Sequence, residues 1–226
     1  MLSNELEFES SPASAESFSF PAETAALPVR LFEIGFSLLA LGVLWPLIVI
    51  QWIWIKIGTP GPGLFFQDRV GKHALPFKFV KLRTMYVDAR QRWPELYAYR
   101  YTSDDLESLR FKVEKDPRVT PQGCLLRKIS LDELPNFWNV IKGDMALVGP
   151  RPEIPEMLPY YTGDMMLKFS VRPGITGLAQ VSGRGRLNFH RTVELDCEYV
   201  RTRSFALDLR IIWKTVKMII IRDGAF

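Results

Sequence analysis

Two adjacent carboxylates, Asp132 and Glu133, are the side chains of this sequence best suited to chemistry. They lie in residues 130–135 (SLDELP), where a helix is predicted from about Leu131 to Lys142. Unpaired amides and the dipole at a helix N-terminus keep carboxylates ionised. One carboxylate could therefore attack a phosphorus atom while its neighbour binds a divalent cation.

The same residues allow a purely structural interpretation. Ser130 and Glu133 have the spacing of a capping box, in which both side chains bind free amides at a helix N-terminus. That arrangement leaves Asp132 without a role. Both interpretations stay open on spacing alone.

Three loops downstream combine arginine with proline or glycine. Arg151 stands between two prolines, so its guanidinium loses little further entropy when it binds a phosphate. Residues 172–177 (RPGITG) and 182–186 (SGRGR) place Arg172 and Arg184 on permissive backbone that can form anion-binding nests. Together with the paired carboxylates, these loops favour chemistry on a phosphate.

Several classes of protein are excluded by motifs that are missing. The sequence has no P-loop, dinucleotide-binding glycine motif, zincin motif or Asp-x-Asp motif. Its two histidines and its two distant cysteines offer neither a zinc site nor a histidine relay, and a reducing compartment fits. The acids at positions 194, 196 and 198 are predicted to lie on a solvated helix face.

Charge is distributed unevenly along the 226 residues. The whole chain carries a formal charge of +4, but residues 1–30 hold five Glu and one Arg, which leaves +8 on residues 31–226. This excess suggests a nucleic acid, a lipid head group or a phosphorylated metabolite as partner. An ordinary solvated surface is compatible with the same charge.

A run of 22 uncharged residues, from Ile34 to Ile55, predicts membrane association. Pro46 lies in its middle and predicts a kinked or broken helix. The run could span the bilayer, which hydropathy favours, or enter one leaflet and return as a hairpin. Both geometries leave the basic body in the cytoplasm, since positive charge gathers on that side.

The flanking segments complete the predicted organisation. Residues 1–28 are rich in Ser, Glu, Ala and Pro and predict a disordered acidic tail. After the breakers at 59–63, residues 64–70 and 76–83 predict a β-hairpin with basic flanks. Residues 86–112 predict helix and loop.

The last predicted helix, 207–222, is amphipathic. Arg210, Lys214 and Lys217 share one face, opposite an apolar arc. The apolar arc could pack on the core or lie in a membrane interface. The apolar run upstream strengthens the second alternative.

Five motifs together make the sequence similar to a known family. They are FFQDRVG at 65–71, FKFVKLRTM at 77–85, LRKISLDELP at 126–135, KGDMALVGPRPE at 142–153 and VRPGITG at 171–177. In these motifs the chain resembles the monotopic phosphoglycosyl transferases, bacterial sugar transferases that start glycan assembly on a polyprenyl phosphate. The resemblance covers about residues 29–226.

This resemblance implies an activity. A sugar 1-phosphate passes from a nucleoside diphosphate sugar, usually a UDP-sugar, to undecaprenyl or another polyprenyl phosphate, and UMP leaves. Asp132 would form a covalent phosphosugar intermediate, and Glu133 would help bind Mg²⁺. The step would initiate an exopolysaccharide or another cell-surface glycan, and the resemblance allows downstream glycosyltransferases as further partners.

The resemblance also implies further site residues and a fold. Positions that match polar residues of the family are Lys81, Arg151, Arg184 and Asp208, with Arg69, Arg83, Arg127 and Arg172 as weaker phosphate contacts. The implied fold is α+β and predominantly helical: a re-entrant membrane helix at 29–58, broken at Pro46, and a catalytic domain at 59–226. This domain, with a small β-hairpin and amphipathic interfacial helices, would lie on the cytoplasmic face of the bacterial inner membrane.

A second hypothesis treats the chain as a basic adaptor at the membrane surface or a nucleic-acid binder. The +8 body and the terminal amphipathic helix motivate it. An adaptor would tolerate Asp132→Asn, and a nucleic-acid binder would show strongly salt-dependent affinity. The transferase hypothesis, which needs no nucleic acid, is favoured because the paired carboxylates, the arginine loops and the apolar run fit it together.

Overall fold

The computed structural model describes residues 18–20, 27–109, 116–183 and 186–221. Predicted features in residues 1–17 and 21–26, as well as Arg184, lie outside these ranges. The helices are α1 (Leu27–Gly58), α2 (Ala89–Arg92), α3 (Ser103–Ser108), α4 (Pro121–Lys128), α5 (Phe137–Lys142), α6 (Leu178–Gly183), α7 (Phe189–Thr202) and α8 (Phe205–Ile221). The strands are β1 (Leu64–Val70), β2 (Pro76–Leu82), β3 (Ala146–Val148) and β4 (Gly174–Thr176). The 3-10 turns are Lys72–Ala74, Pro94–Tyr97, Leu134–Asn136, Pro155–Tyr160 and Gly163–Ser170.

Helix α1 contains the uncharged run and is long enough and apolar enough to cross a membrane. It continues through Pro46 as one helix of 32 residues, so the break that the sequence predicts at this proline is not seen. A proline removes one backbone hydrogen bond and can leave the turns on both sides intact. The re-entrant geometry therefore stays a prediction.

Both ends of α1 contact the rest of the protein. Near its start, the Arg30 Nη2 atom donates a 2.6 Å hydrogen bond to the Val140 carbonyl. Near its end, Ile55 is buried in a cluster with Leu82 and Leu126. The long middle of the helix is mostly exposed, including Leu39 and Val43.

The predicted β-hairpin is present. Strands β1 and β2 pair antiparallel, with Phe65 opposite Lys81 and Arg69 opposite Phe77. Both strands are rich in the aromatic and β-branched residues that favour strands, namely Phe65, Phe66 and Val70 in β1 and Phe77, Phe79 and Val80 in β2. The hairpin places the side chains of Arg69 and Lys81 on strands rather than on flexible loops.

A second sheet joins distant parts of the chain and was not predicted. Strands β3 and β4 are parallel, with Ala146 opposite Gly174 and Val148 opposite Thr176. A side chain at Gly149 would collide with the backbone of Arg172, so only glycine allows this close approach. The short sheet therefore sets the position of the loop that follows Val148.

Two buried clusters form the core. The first combines Val70 of the hairpin with Tyr161, Phe169 and α7 residues such as Phe189. The second joins residues of β2, α5, β3, α7 and α8: Phe79, Val140, Met145, Leu147, Val148, Val171, Tyr199 and Ile211. Part of the predicted tail is ordered against the first cluster, because Phe18 and Phe20 pack on it.

Helix α8 has the predicted amphipathic pattern but buries little of it. Asp208 and Ile211 are its buried residues. Most of the predicted apolar arc is exposed: Leu209, Trp213, Val216, Ile219 and Ile220. An exposed apolar face next to basic residues fits an interfacial helix better than a core helix.

Candidate functional site

The paired carboxylates open into a cleft of about 2160 Å³. The cleft is larger than a typical pocket for one small ligand, which is roughly 300–1,000 Å³. Seven predicted site residues line it: Arg69, Lys81, Arg83, Arg127, Asp132, Glu133 and Arg151. The structure therefore brings together groups that lie as far apart as β1 and the loop after β3.

A tight turn places Asp132 in this cleft. Helix α4 ends at Lys128, and Ser130 adopts a left-handed conformation with φ of 57°. The Leu131 amide then donates to the Leu126 carbonyl at 3.0 Å, and the Leu82 amide donates to the Asp132 carbonyl at 2.9 Å. The last bond fastens the dyad to strand β2.

The capping box, which was the purely structural alternative for Ser130 and Glu133, is not formed. The helical segment begins as a 3-10 turn at Leu134, without a side-chain cap, and α5 itself starts only at Phe137. The left-handed turn at Ser130 and the bond to Leu82 replace the predicted first helical turn. Glu133 is therefore not occupied in capping this helix.

Asp132 is a buried carboxyl beside two cations. Its residue is 6% exposed. Burial, followed by the charge of Glu133, raises the pKa of Asp132, while Lys81 and Arg127 act in the opposite direction. The cations thus help an otherwise unfavourable buried carboxylate to ionise.

The pKa of Lys81 is lowered, whereas that of Asp132 is raised. Burial lowers the pKa of its ammonium to about 8, although Asp132 favours the charged form. The Nζ atom lies 5.6 Å from the centre of the Phe65 ring on the paired strand. Lys81 is therefore a cation whose charge can change near neutral pH.

Arg151 contacts the dyad from the opposite wall. Its Nη2 atom lies 3.6 Å from the Glu133 Oε1 atom, and the arginine side chain is 46% exposed. Strand β4 holds its loop, because the Gly149 amide donates to Thr176 at 2.9 Å and the Gly174 amide donates to Pro150 at 2.9 Å. The guanidinium is thus presented on a fixed backbone while much of it faces the cleft.

Arg69 and Arg127 line the same space and are partly tied in place. The Arg69 Nη1 atom donates to the Pro152 carbonyl at 3.3 Å, and the Arg127 Nε atom donates to Thr84 Oγ1 at 2.9 Å. Burial, followed by the charge of Arg151, lowers the pKa of Arg69 to about 10. Several cations therefore crowd around two carboxylates, an arrangement that favours an additional anion.

Arg83 and Arg172, two of the predicted phosphate contacts, are engaged elsewhere. The Arg83 guanidinium borders the cleft but donates to the carbonyls of Thr59 and Pro60, just after α1. Arg172 forms an ion pair of 3.1 Å with Glu33 of α1. These contacts connect α1 to the domain.

Asp208 is also buried away from the dyad. It accepts a 2.7 Å hydrogen bond from the Tyr199 hydroxyl, which joins α8 to α7. Burial raises the pKa of Asp208. Arg184, the remaining predicted residue, lies outside the described ranges.

The sequence interpretation missed a buried ionic group behind the Arg151 loop. Asp196, predicted to be solvated, is fully buried, and Lys168 lies 3.2 Å from its Oδ2 atom. The prediction was wrong for Asp196 because the turn Gly163–Ser170, which carries Lys168, packs against this side of α7. In the sequence, Asp196 stands out only as one acid in a run of alternating acids and apolar residues. This pattern does not distinguish a buried acid from an exposed one.

The donor set fits magnesium better than zinc. No cluster of three or more His, Cys, Asp or Glu side chains occurs within the part of the chain that the structure describes. Mg²⁺ commonly binds through one or two carboxylates plus waters and substrate phosphates. Asp132 and Glu133, both lining the cleft, provide such a pair.

Comparison with known proteins supports a sugar transferase. Residues 24–222 match the profile of a family described as bacterial sugar transferase. The undecaprenyl-phosphate galactose phosphotransferase of Salmonella typhimurium is 38% identical over 198 residues, which are 87% of this chain and 41% of that protein. The undecaprenyl-phosphate glucose phosphotransferase of Komagataeibacter xylinus is 38% identical over 216 residues, which are 91% of this chain and 38% of that protein.

A third relative has a similar length. The exopolysaccharide production protein ExoY of Rhizobium meliloti is 35% identical over 217 residues, which are 92% of this chain and 95% of that protein. The chain therefore spans about two fifths of the two phosphotransferases but nearly all of ExoY.

Proposed function

The chain belongs to the bacterial sugar transferase family, and from this premise we propose that it transfers a sugar 1-phosphate to undecaprenyl or another polyprenyl phosphate. The family match confirms the resemblance inferred from the motifs. One observation carries the proposal: the Asp132–Glu133 pair lies in a cleft with Lys81, Arg127 and Arg151. The reaction would initiate an exopolysaccharide or another cell-surface glycan, in line with the name of the relative ExoY, an exopolysaccharide production protein.

The proposed chemistry has two displacements at one phosphorus atom. With a UDP-sugar as donor, an Asp132 oxygen attacks the phosphorus that carries the sugar, and the bond to UMP breaks. The product is an aspartyl phosphosugar. An oxygen of the polyprenyl phosphate then attacks the same phosphorus, which releases Asp132 and forms a polyprenyl diphosphate sugar.

The cations around Asp132 match the needs of both steps. Lys81 and Arg127 favour the ionised form of Asp132, which the attack requires. Arg151, 3.6 Å from Glu133 and partly exposed, is placed to bind phosphoryl oxygens with two parallel donors. Arg69 holds the same loop through the Pro152 carbonyl.

Glu133, with Asp132 beside it, would hold Mg²⁺ in this cleft. The ion would supply positive charge that neutralises the phosphates during transfer. The protein itself keeps Glu133 free of a capping bond and orients it through Arg151. Loss of turnover in excess EDTA, with recovery on adding Mg²⁺, is the expected result; full activity in EDTA would reject the metal.

The surroundings of the cleft support a lipid acceptor. Its wall continues from the charged residues to apolar residues of α1, α5 and α8: Phe36, Phe137, Ile212, Val216 and Ile219. A polyprenyl chain could therefore lie along the apolar wall with its phosphate near the dyad, while the nucleotide enters from water. We infer that the cleft opens at the inner-membrane surface on the cytoplasmic side.

For the membrane geometry we propose re-entry, and the contacts of α1 support it. Both ends of this helix contact one domain, and its middle is exposed, which favours a segment that enters one leaflet and returns. In a variant without native cysteines, a cysteine introduced near residue 14 should be protected from impermeant reagents in intact cells. Labelling from outside, with the body protected, would instead establish a span.

The decisive experiment combines the purified protein with a panel of UDP-sugars, undecaprenyl phosphate and Mg²⁺. Release of UMP that depends on lipid, parallel lines in initial-rate plots, and a phosphosugar adduct on Asp132 without lipid are expected. Intersecting lines without an adduct would support direct transfer. Absence of UMP release with every sugar, from protein that is folded and in lipid, would reject the proposed donor.

A further inference from the structure

We propose that a buried ionic cluster of Lys168, Glu153 and Asp196, here called the Lys168 cluster, positions Arg151 for phosphoryl transfer. The proposal rests on the proposed function, because Arg151 matters only if the cleft binds phosphates. Lys168 and Asp196 do not line the cleft, and Glu153 borders it. They are positioning residues.

The Lys168 cluster is a closely connected group. The Lys168 Nζ atom lies 3.2 Å from Asp196 Oδ2 and 3.7 Å from Glu153 Oε2. It also donates to the Tyr161 hydroxyl at 3.2 Å, and that hydroxyl donates to Glu153 Oε2 at 2.7 Å. Three separate segments, the loop after β3, the turn Gly163–Ser170 and helix α7, therefore meet at one ammonium group.

Glu153 connects the Lys168 cluster to the loop after β3 that carries Arg151. Its Oε1 atom accepts from the Ile154 amide at 3.1 Å, and its carbonyl accepts from the Val70 amide of β1 at 2.7 Å. Arg151 is only two residues away and contacts Glu133 on the cleft side. The same short segment is thus held from the interior by Lys168 and presents a guanidinium to the cleft.

Burial excludes a direct part in catalysis for Lys168 and Asp196. Relative exposures are 2% for Lys168, 6% for Glu153 and 0% for Asp196. Burial raises the pKa of Asp196 to about 6, with Lys168 acting against that shift and Glu153 adding to it. Two carboxylates therefore share one cation in the interior.

Such a cluster is a costly way to stabilise a fold. Buried ion groups often contribute no more stability than apolar residues of similar volume, because desolvation offsets their attraction. The hydrogen bonds that the Tyr161 hydroxyl makes with Lys168 and Glu153 do restrict geometry, and small displacements in a phosphoryl-transfer site are expensive in rate. Setting the Arg151 loop is a role for which an apolar replacement would not suffice.

The test is a paired substitution that removes one buried cation and one buried anion together and so leaves the net charge of the Lys168 cluster unchanged. Lys168→Met with Asp196→Asn removes one charge of each sign, while Glu153 keeps Tyr161 and the Ile154 amide. Arg191→Met with Glu194→Gln is the matched control, since this exposed pair of 2.9 Å lies on the same helix, α7. If the double variant does not fold, Lys168→Arg alone takes its place.

We expect kcat to fall about tenfold or more in the double variant, with KM for the UDP-sugar changed less than about threefold, and no change in the control. In an Arg151→Lys background the same pair should cost less than about twofold, because both changes weaken one contact. Equal losses in both backgrounds, or an unchanged kcat in folded protein, would overturn the proposal.

A readout that needs no turnover separates the two hypotheses. Amide hydrogen exchange at residues 149–154 should be faster in the double variant and unchanged in the control. If the wild-type protein released no UMP, the proposed function would fail, and exchange would still report on the loop. Unchanged exchange at 149–154 would overturn the role of the Lys168 cluster whatever the activity.

Discussion

Arginines occupy two regions of this protein in different ways. Arg69, Arg127 and Arg151 line the cleft and are called the cleft arginines. Arg30, Arg83 and Arg172 connect α1 to the domain and are called the seam arginines. Apart from Arg30, all of them are candidates for phosphate binding by residue type and neighbouring motif.

The seam arginines have their donors directed at strong acceptors. The Arg83 guanidinium donates to the carbonyl of Thr59 at 2.8 Å and to the hydroxyl of Thr59 at 2.9 Å. Arg172 and Glu33 form their ion pair with side chains only 10% and 5% exposed. Each of these guanidinium groups thus binds a backbone carbonyl near a helix end or a buried carboxylate.

The cleft arginines have weaker ties and more mutual repulsion. Arg151 has a long contact of 3.6 Å with Glu133 and stays nearly half exposed. Positive charge on Arg151 lowers the pKa of both Arg69 and Arg127, although burial is the larger cause. A group of cations that repel each other around a cleft has capacity for an anion, whereas a guanidinium paired in the interior does not.

The largest expected effect concerns the carboxylate that the cleft arginines surround. Asp132→Asn should lower turnover at least ~10³-fold, because an amide keeps the shape but is not an anionic nucleophile. UMP release and mass spectrometry for the adduct are the measurements, with circular dichroism as the check on folding. More than a few per cent of activity in a folded variant would contradict the assignment of Asp132.

The next effect should be on stability and at the seam. Arg172→Met leaves Glu33 buried with weaker compensation, so the free energy of unfolding should fall by about 3 kcal/mol. Turnover per folded molecule should stay within about threefold of wild type, since only the seam is disturbed. Denaturant titration in detergent gives the first quantity, and active-site titration with the trapped adduct gives the second. A selective loss of turnover at normal stability would place Arg172 with the cleft arginines.

Arg151→Lys should show the opposite pattern. An ammonium lacks the bidentate fork, so kcat/KM should fall about tenfold, or about 1.4 kcal/mol. The free energy of unfolding should change by less than about 0.5 kcal/mol, because the side chain is nearly half exposed and its ion pair with Glu133 is long. Comparing the two arginine variants in one assay and one denaturant titration sharpens the distinction between cleft and seam. Equal effects of both variants on stability would remove it.

The smallest expected effect is a shift in pH dependence. Lys81 has a pKa of about 8, so its charge, and the activity that depends on it, should decline as the pH rises through that value. Lys81→Arg should move this alkaline limit upward, because arginine stays protonated. kcat/KM measured between pH 6 and about pH 10 tests this; an unchanged limit would mean that another group sets it.

Stability should respond to the same group with a definite sign. The pKa of Lys81 is lower in the folded protein than the 10.5 expected for an exposed lysine. Between these values the unfolded chain binds more protons, so the contribution of Lys81 to stability rises with pH. Lys81→Met should reduce that slope in thermal unfolding above pH 8, whereas a slope unchanged by Lys81→Met would contradict the lowered pKa.

Local patterns predicted the features that depend on neighbouring residues. The hairpin of β1 and β2 follows from two short strand-like runs on both sides of one turn. The amphipathic helix α8 and the apolar helix α1 follow from periodicity and length. The paired acids at 132 and 133 were recognised for the same reason, since their chemistry is visible in adjacent positions.

Local patterns misled where a distant segment competes with them. The capping box at Ser130 is not formed, and the Leu82 amide instead donates to the Asp132 carbonyl. This hydrogen bond joins residues that lie 50 positions apart in the sequence. Asp196 was predicted to be solvated because an isolated helix face was considered, without the turn Gly163–Ser170 that covers it.

The sequence by itself determined which residues can do chemistry: two carboxylates, a lysine and a set of arginines in five motifs. Only the tertiary structure decided which arginines bind α1 and the residues after it, and which face the paired carboxylates in the cleft. A guanidinium has the same charge and donors everywhere, and its role depends on whether buried acceptors from distant segments already bind it. Glu33 and the carbonyls after α1 bind Arg172 and Arg83, and the cleft leaves Arg151 open, because the fold brings those acceptors to the seam and not to the cleft.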